Sequence, residues 1–172
     1  PNKAVTIGHI VPIYEPISES PRTGKMLFVG SANPMNVQAL RFFIEQVFPS
    51  VKFHYLSAQL LVVGSVGALL GAYDDCVRLG NVDDLRSVYT SVDVVINPMR
   101  FGTGLSIKSL EALGHTRPLV TTSIGARGLA DGAGKAFLVA DTPEEFVSAI
   151  ASVLSDEGCA EALSRNAYDF IV

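Results

Sequence analysis

Short apolar runs recur along the chain, most followed by a loop rich in Gly, Ser or Asn and then by a segment whose apolar positions have helical spacing. Met26–Val29, Gln59–Val63, Cys76–Leu79, Asp93–Ile96, Leu119–Thr121 and Ala136–Val139 are expected as strands. Helices are expected from about Met35 to Val47, from Asp83-Asp84 through Tyr89, from Leu105 to Leu113, from Thr142-Pro143 to about Leu154, and over Glu157–Tyr168. The fourth of these starts with a hydroxyl cap, a proline at the first helical position and two acids, a favoured helix opening. Strands alternating with helices predict an α/β fold, a Rossmann-like parallel sheet of about six strands with helices on both faces.

The amino-terminal stretch breaks the pattern. Ala4–Ile10 is apolar, but Pro12, Pro16 and Pro21 punctuate the polar residues after it, so residues 1–23 are expected to be a connector and 24–172 the folded domain. The stretch Leu60–Tyr73 is interrupted by Gly64, Ser65, Gly67 and Gly71 and is too short to span a bilayer. It is expected to form a buried strand, a glycine turn and a short helix.

Composition narrows the partners. Of 172 residues, 48 % are hydrophobic and 17 % charged, which suits one globular domain with a full core. The net charge of −4 gives no general attraction for nucleic acid or anionic lipid, so any polyanion site must be local. Cys76 and Cys159 have no metal-ligand spacing and no secretory segment is visible, so both are expected as reduced thiols in a cytoplasmic protein.

The run from Gly102 to Leu113 carries the chemistry. It comes directly after a strand and opens a helix, which Gly114 is expected to close in the left-handed conformation. A first helical turn offers unpaired N–H groups and positive dipole, hence a place for an anion. Lys108 is unfavourable at that end unless a ligand supplies the missing negative charge. Lys108 and Glu111 share a face, with Ile107, Leu110 and Gly114 expected as the buried stripe beside them. That edge can offer N–H groups and a lysine to phosphates and a carboxylate to sugar hydroxyls; a plain surface Lys–Glu pair satisfies the same spacing. The loops starting at Gly30, Gly64, Gly80 and Gly102, and that of Gly125 and Gly128, all come after strands and would surround one cleft. His9, His54 and His115 are expected as structural or exposed, and Asp74-Asp75 and Asp83-Asp84 as turn and helix-start groups. No metal is expected.

These pieces, in order, resemble the carboxyl-terminal domain of GT-B glycosyltransferases of the group 1 type. They are Leu27-Phe28-Val29-Gly30-Ser31 with Asn36; Leu61-Val62-Val63-Gly64-Ser65; Leu79-Gly80-Asn81-Val82-Asp83-Asp84; Tyr89 with Asp93; Asn97-Pro98; the Gly102–Leu113 block; Arg117-Pro118-Leu119-Val120-Thr121-Thr122; and Gly125-Ala126-x-Gly128-Leu129. The resemblance covers roughly residues 24–170 and implies a donor-binding domain for a nucleotide-sugar. It implies that Glu111 accepts from ribose hydroxyls and that the backbone at Gly104, Leu105 and Ser106 holds the diphosphate. Lys108 then neutralises charge, and Gly80, Asn81 and Val82 meet the base. Gly30 and Ser31, with Gly64 in the next loop, admit the phosphates or acceptor. Lys108 and Glu111 are the expected catalytic pair, with Arg100, Gly102 and Thr103 completing the donor site.

Two positions depart from the pattern. Thr103 stands where many relatives carry an acid that contacts the transferred sugar, and Ser31-Ala32-Asn33-Pro34 stands where many carry phosphate-gripping Arg and Lys. The implied partners are a nucleotide-sugar, a saccharide or glycolipid acceptor of polysaccharide or lipopolysaccharide synthesis, and an amino-terminal domain missing from this chain. Nucleic acid is not expected as a partner. Peripheral association with the inner face of the membrane is implied for the full-length protein. The alternative is a non-catalytic nucleotide- or phospho-ligand-binding module.

Overall fold

The computed structural model describes residues 11–16, 22–71, 73–102 and 104–172. The apolar stretch Ala4–Ile10, with His9, and the candidate Thr103 lie outside them. Among the described residues six strands, β1 (Lys25–Val29), β2 (Gln59–Val63), β3 (Cys76–Gly80), β4 (Val94–Asn97), β5 (Leu119–Thr121) and β6 (Leu138–Val139), form one parallel sheet in the order β3-β2-β1-β4-β5-β6. This is the Rossmann order, whose direction reverses between β1 and β4.

Alternate strand residues feed two cores. Met26, Phe28, Leu60, Val62, Val94, Ile96 and Val120 face one side, under α1 (Pro34–Phe42), α2 (Phe48–His54) and α5 (Pro143–Ser155). Leu27, Leu61, Val63, Val95 and Leu119 face the other, under α3 (Leu85–Thr90), α4 (Ile107–Gly114) and α6 (Glu157–Ile171). Burial on both faces explains the apolar runs of the inner strands β1, β2, β4 and β5, whereas β3, at the sheet edge, is largely exposed and carries Arg78. Asn33, Asp84, Thr142 and Asp156 cap α1, α3, α5 and α6, and Thr142 with Glu145 makes a full capping box. Among the described residues no helix is long and apolar enough to cross a membrane. Cys76 and Cys159 are half-buried free thiols.

Three expectations are corrected. The helix begun at Pro34 does not stop at Val47: a π-helical turn, Phe43–Val47, leads into α2, with Pro49 in its first turn. The missing N–H of Pro49 and its clash with the preceding turn are accommodated there, while Phe43, Val47, Phe48 and Val51 keep one buried face. Gly114 does not close α4 in the left-handed region; Thr116 takes that conformation, with φ 52°. Gly114 is the last residue of the helix, and the position needs glycine because a Cβ there would stand 2.5 Å from the Pro12 carbonyl oxygen. The buried stripe of α4 is Ser109, Ala112, Leu113 and Gly114, and Ile107 faces outward at 44 % exposure.

Part of the connector is docked. Tyr14 N–H donates to the Gly114 carbonyl at 2.9 Å, Thr116 Oγ1 to Glu15 O at 3.3 Å and Tyr168 Oη to Glu15 Oε1 at 3.1 Å. The His115 ring is sandwiched between Tyr14 (centroids 4.7 Å apart) and Tyr89 (3.9 Å), and Arg86 covers Tyr14. Burial, with Arg86 and Arg117 nearby, lowers the His115 pKa to about 4, so this imidazole is neutral and structural.

Candidate donor-binding site

The carboxyl ends of β1 and β4 diverge at the reversal of strand order, where open α/β sheets hold their ligands. The loop after β4 and the first turn of α4 frame a pocket of about 230 Å³, lined by Met99, Phe101, Gly102, Gly104, Leu105, Ser106, Ile107, Lys108, Ile124 and Gly125. Five of the expected site residues thus meet in one cavity.

The loop is fastened from below. Asn97, at the end of β4 and 1 % exposed, donates through Nδ2 to Ser106 Oγ at 3.0 Å and Ser109 Oγ at 2.8 Å. Ser109 passes the hydrogen bond on to the Gly125 carbonyl at 2.7 Å. Ser106 is the N-cap of α4 yet makes no side-chain cap bond. Its hydroxyl faces Asn97 instead, so the first turn of α4 keeps donors for another acceptor. Thr122 Oγ1 donates to the Met99 carbonyl and accepts from Gly125 N–H at 3.0 Å, tying the loop after β5 to the loop after β4.

Lys108 reaches from α4 across the reversal point. Its ammonium donates to Asn36 Oδ1 on α1, lies 3.8 Å from Met99 Sδ and stands 5.5 Å above the Phe28 ring centroid. Burial lowers its pKa from 10.5 to about 8, against the opposing pull of Glu111. Glu111, one turn on, is half-buried on the same face and also acts on Tyr89, whose pKa is raised first by burial and then by that carboxylate.

The other expected residues divide. Gly30, Gly64 and Gly80 end neighbouring strands and are stitched together: Gly30 N–H donates to Val63 O at 2.9 Å and Gly64 N–H to Gly80 O at 2.6 Å. Ser31 is exposed and its carbonyl accepts from Asn36. Asn81 is exposed, while Val82 leans on the second core. Arg100 does not line the pocket; its guanidinium lies over the Phe42 ring at 4.9 Å, on the α1 side.

Two contributors make contacts that the sequence did not indicate: Asn36 is named only within a matching piece, and Arg127 not at all. Asn36 carries the Lys108 contact. Arg127, the variable position within Gly125-Ala126-x-Gly128, donates to the Gly102 carbonyl at 2.6 Å and accepts from Ser106 N–H at 3.4 Å through its own carbonyl. Its basic character next to a glycine pair was the available signal.

The profile of the family described as "Glycosyl transferases group 1" matches residues 23–156, and the chain belongs to that family. A relative, an uncharacterized 44.6 kDa protein in the cps region of Klebsiella pneumoniae, is 26 % identical over 159 residues, covering 85 % of this chain and 41 % of its own. Among solved structures, a TarM mutant of S. aureus in complex with fondaparinux, alpha-GlcNAc-glycerol and UDP superposes with a TM-score of 0.79 at 14 % identity, over 97 % of this chain and 36 % of that one. The C-terminal domain of a group 1 glycosyl transferase, LpcC of Francisella tularensis, superposes with a TM-score of 0.68 at 14 % identity, over 92 % of this chain and 94 % of that one. The chain therefore spans less than half of the curated relative it matches, and its fold is that of the carboxyl-terminal half of such transferases.

Proposed function

We propose that this chain is the donor half of a sugar transferase, holding a nucleoside diphosphate-sugar while an amino-terminal domain presents a saccharide or lipid-linked acceptor. The observation that carries it is the uncapped first turn of α4 beside a partly desolvated Lys108, with Glu111 one turn further on, at the reversal of a parallel sheet. The helix N–H groups and Lys108 stabilise the negative charge that develops on the leaving diphosphate as the glycosidic bond breaks. Glu111 accepts from the ribose hydroxyls. The UDP in the TarM structure and the place of the Klebsiella relative in the cps region support a role in building a polysaccharide or glycolipid. Donor binding needs this chain alone; transfer needs both halves.

Calorimetry tests the reading with UDP, GDP and their nucleosides. One diphosphate should bind, and its nucleoside more weakly. Lys108→Ala should cost the diphosphate about tenfold, the low end of a charge-assisted hydrogen bond, and leave the nucleoside nearly unchanged. Glu111→Ala should weaken both. Equal losses for both ligands in the lysine variant, or no diphosphate binding at all, would overturn the assignment, and sugar transfer by the chain alone would contradict the need for a second half.

A further inference from the structure

We propose that Asn36 is the positioning residue that holds Lys108 toward a bound diphosphate without cancelling its charge. The inference rests on the donor-site reading of α4.

Asn36 has one orientation available. It is 2 % exposed, its N–H donates to the N-cap Asn33 Oδ1 at 2.9 Å, and its Nδ2 donates to the Ser31 carbonyl at 2.8 Å. With the amide nitrogen committed, the amide oxygen is the atom left to meet Lys108, and it does. The surroundings leave no slack: a Cβ on Gly30 would stand 3.1 Å from Asn36 Nδ2 and 2.8 Å from the Phe28 ring. A single amide thus ties the loop after β1 to the helix after β4 across the reversal point.

The choice of amide is a matter of charge. A half-buried ammonium needs an acceptor, because a sulfur and a ring face are weak ones. A carboxylate at position 36 would satisfy it fully and cancel the attraction for phosphate. An amide oxygen supplies a strong dipole and leaves the net charge of the ammonium for the ligand. The groups facing Lys108 are Asn36 from α1, Phe28 from β1, Met99 from the loop after β4 and Glu111 from α4 itself; Glu111 is the charged one.

The test measures UDP against uridine affinity between pH 7 and 10 in the wild-type chain, Asn36→Leu, Asn36→Asp and Lys108→Met. The wild-type ratio should fall through a midpoint near 8 as the lysine loses its proton. Loss of the acceptor should move that midpoint down by about one pH unit in Asn36→Leu, cutting the ratio at pH 8 about threefold. Asn36→Asp should move it upward while lowering the plateau about tenfold. Uridine affinity should be the same in every variant at each pH, and Asn36→Leu should add nothing in a Lys108→Met background. An unmoved midpoint, or an equal loss in that background, would overturn the proposal. The Lys108 titration is also read directly by NMR on lysine labelled with 13C at Cε. Its displacement in Asn36→Leu, or in the isosteric Asn36→Asp should the leucine variant unfold, decides the positioning role. Binding of neither UDP nor GDP, with a displaced titration, would sink the donor reading alone.

Discussion

Replacing Lys108 with Met separates the cost of the buried ammonium from everything else in the fold. Burial lowers the Lys108 pKa from 10.5 to about 8, with Glu111 pulling it back in part. A lowered lysine means that between those values the unfolded chain holds a proton the folded chain has released. Stability contributed by this site therefore rises with pH from about 8 to about 10.5, and below 8 the full cost of the folded-state cation is present. A displacement of that size corresponds to about 3 kcal/mol if fully expressed, and solvent screening at a half-buried position brings it to about 1.5 kcal/mol. The absolute change at pH 7 is uninformative, because Lys108→Met also strands the Asn36 amide oxygen at a cost of about 1–3 kcal/mol. The slope is the diagnostic. Urea unfolding of both proteins from pH 7 to 10.5 should show the wild type gaining about 1.5 kcal/mol on the variant. Tyr73 and Tyr168, raised by their hydrogen bonds to Glu45 and Glu15, and Cys76 and Tyr89, raised by burial, push the other way but are common to both and cancel in the difference. A difference that stays flat or falls with pH would refute the desolvated-lysine account.

The remaining predictions concern the frame around the site. Gly64 has φ +94° and no room for a Cβ, which would overlap the Gly30 carbonyl oxygen, so Gly64→Ala should destabilise the fold by about 3 kcal/mol or more; a thermal midpoint within 2 °C or so of wild type would contradict this. Gly114→Ala should push Pro12 off α4 and release the 11–16 segment, read as faster limited proteolysis there with the domain core still resistant; unchanged cleavage would show that the contact does not hold the connector. Thr142→Ala removes the capping box of α5 and should lower stability by about 1 kcal/mol in urea melts, an effect that vanishes if the helix is held by packing alone.

Most of the sheet was readable because its inner strands are buried on both faces, so each appears as an apolar run whatever its neighbours. Gln59–Val63 and Leu119–Thr121 match to the residue. Failures lie where a distant partner sets the local state. Pro49 looks like a stop until Phe48 and Val51 are seen to continue a buried face, and Gly114 looks like a helix terminator until the connector is seen to press on it. The lysine and the pocket loop were legible from spacing within one element. The contacts of Asn36 and Arg127 were not, because their partners, Lys108 and Gly102, stand 72 and 25 positions away.

The glycines show how far a sequence can be read for ligand contact. A glycine after a strand is equally consistent with a ligand pressing on the backbone and with the protein pressing on itself, and the space beside it distinguishes the two. At Gly30 that space is filled by Phe28 and Asn36, at Gly125 by Thr121 and Asn97, and at Gly128 by Leu105. These three are demanded by internal packing, and a side chain there would damage the frame before it met any ligand. Gly80 and Gly104 differ: each has positive φ, 64° and 88°, and nothing lies within 4 Å of where a Cβ would stand. Gly104 lines the pocket at the α4 terminus, and Gly80 ends the strand beside Asn81 and Val82. Gly134, before β6, has the same open space, so this feature agrees with the proposed diphosphate at Gly104 and base at Gly80 only together with their place at the carboxyl ends of the strands.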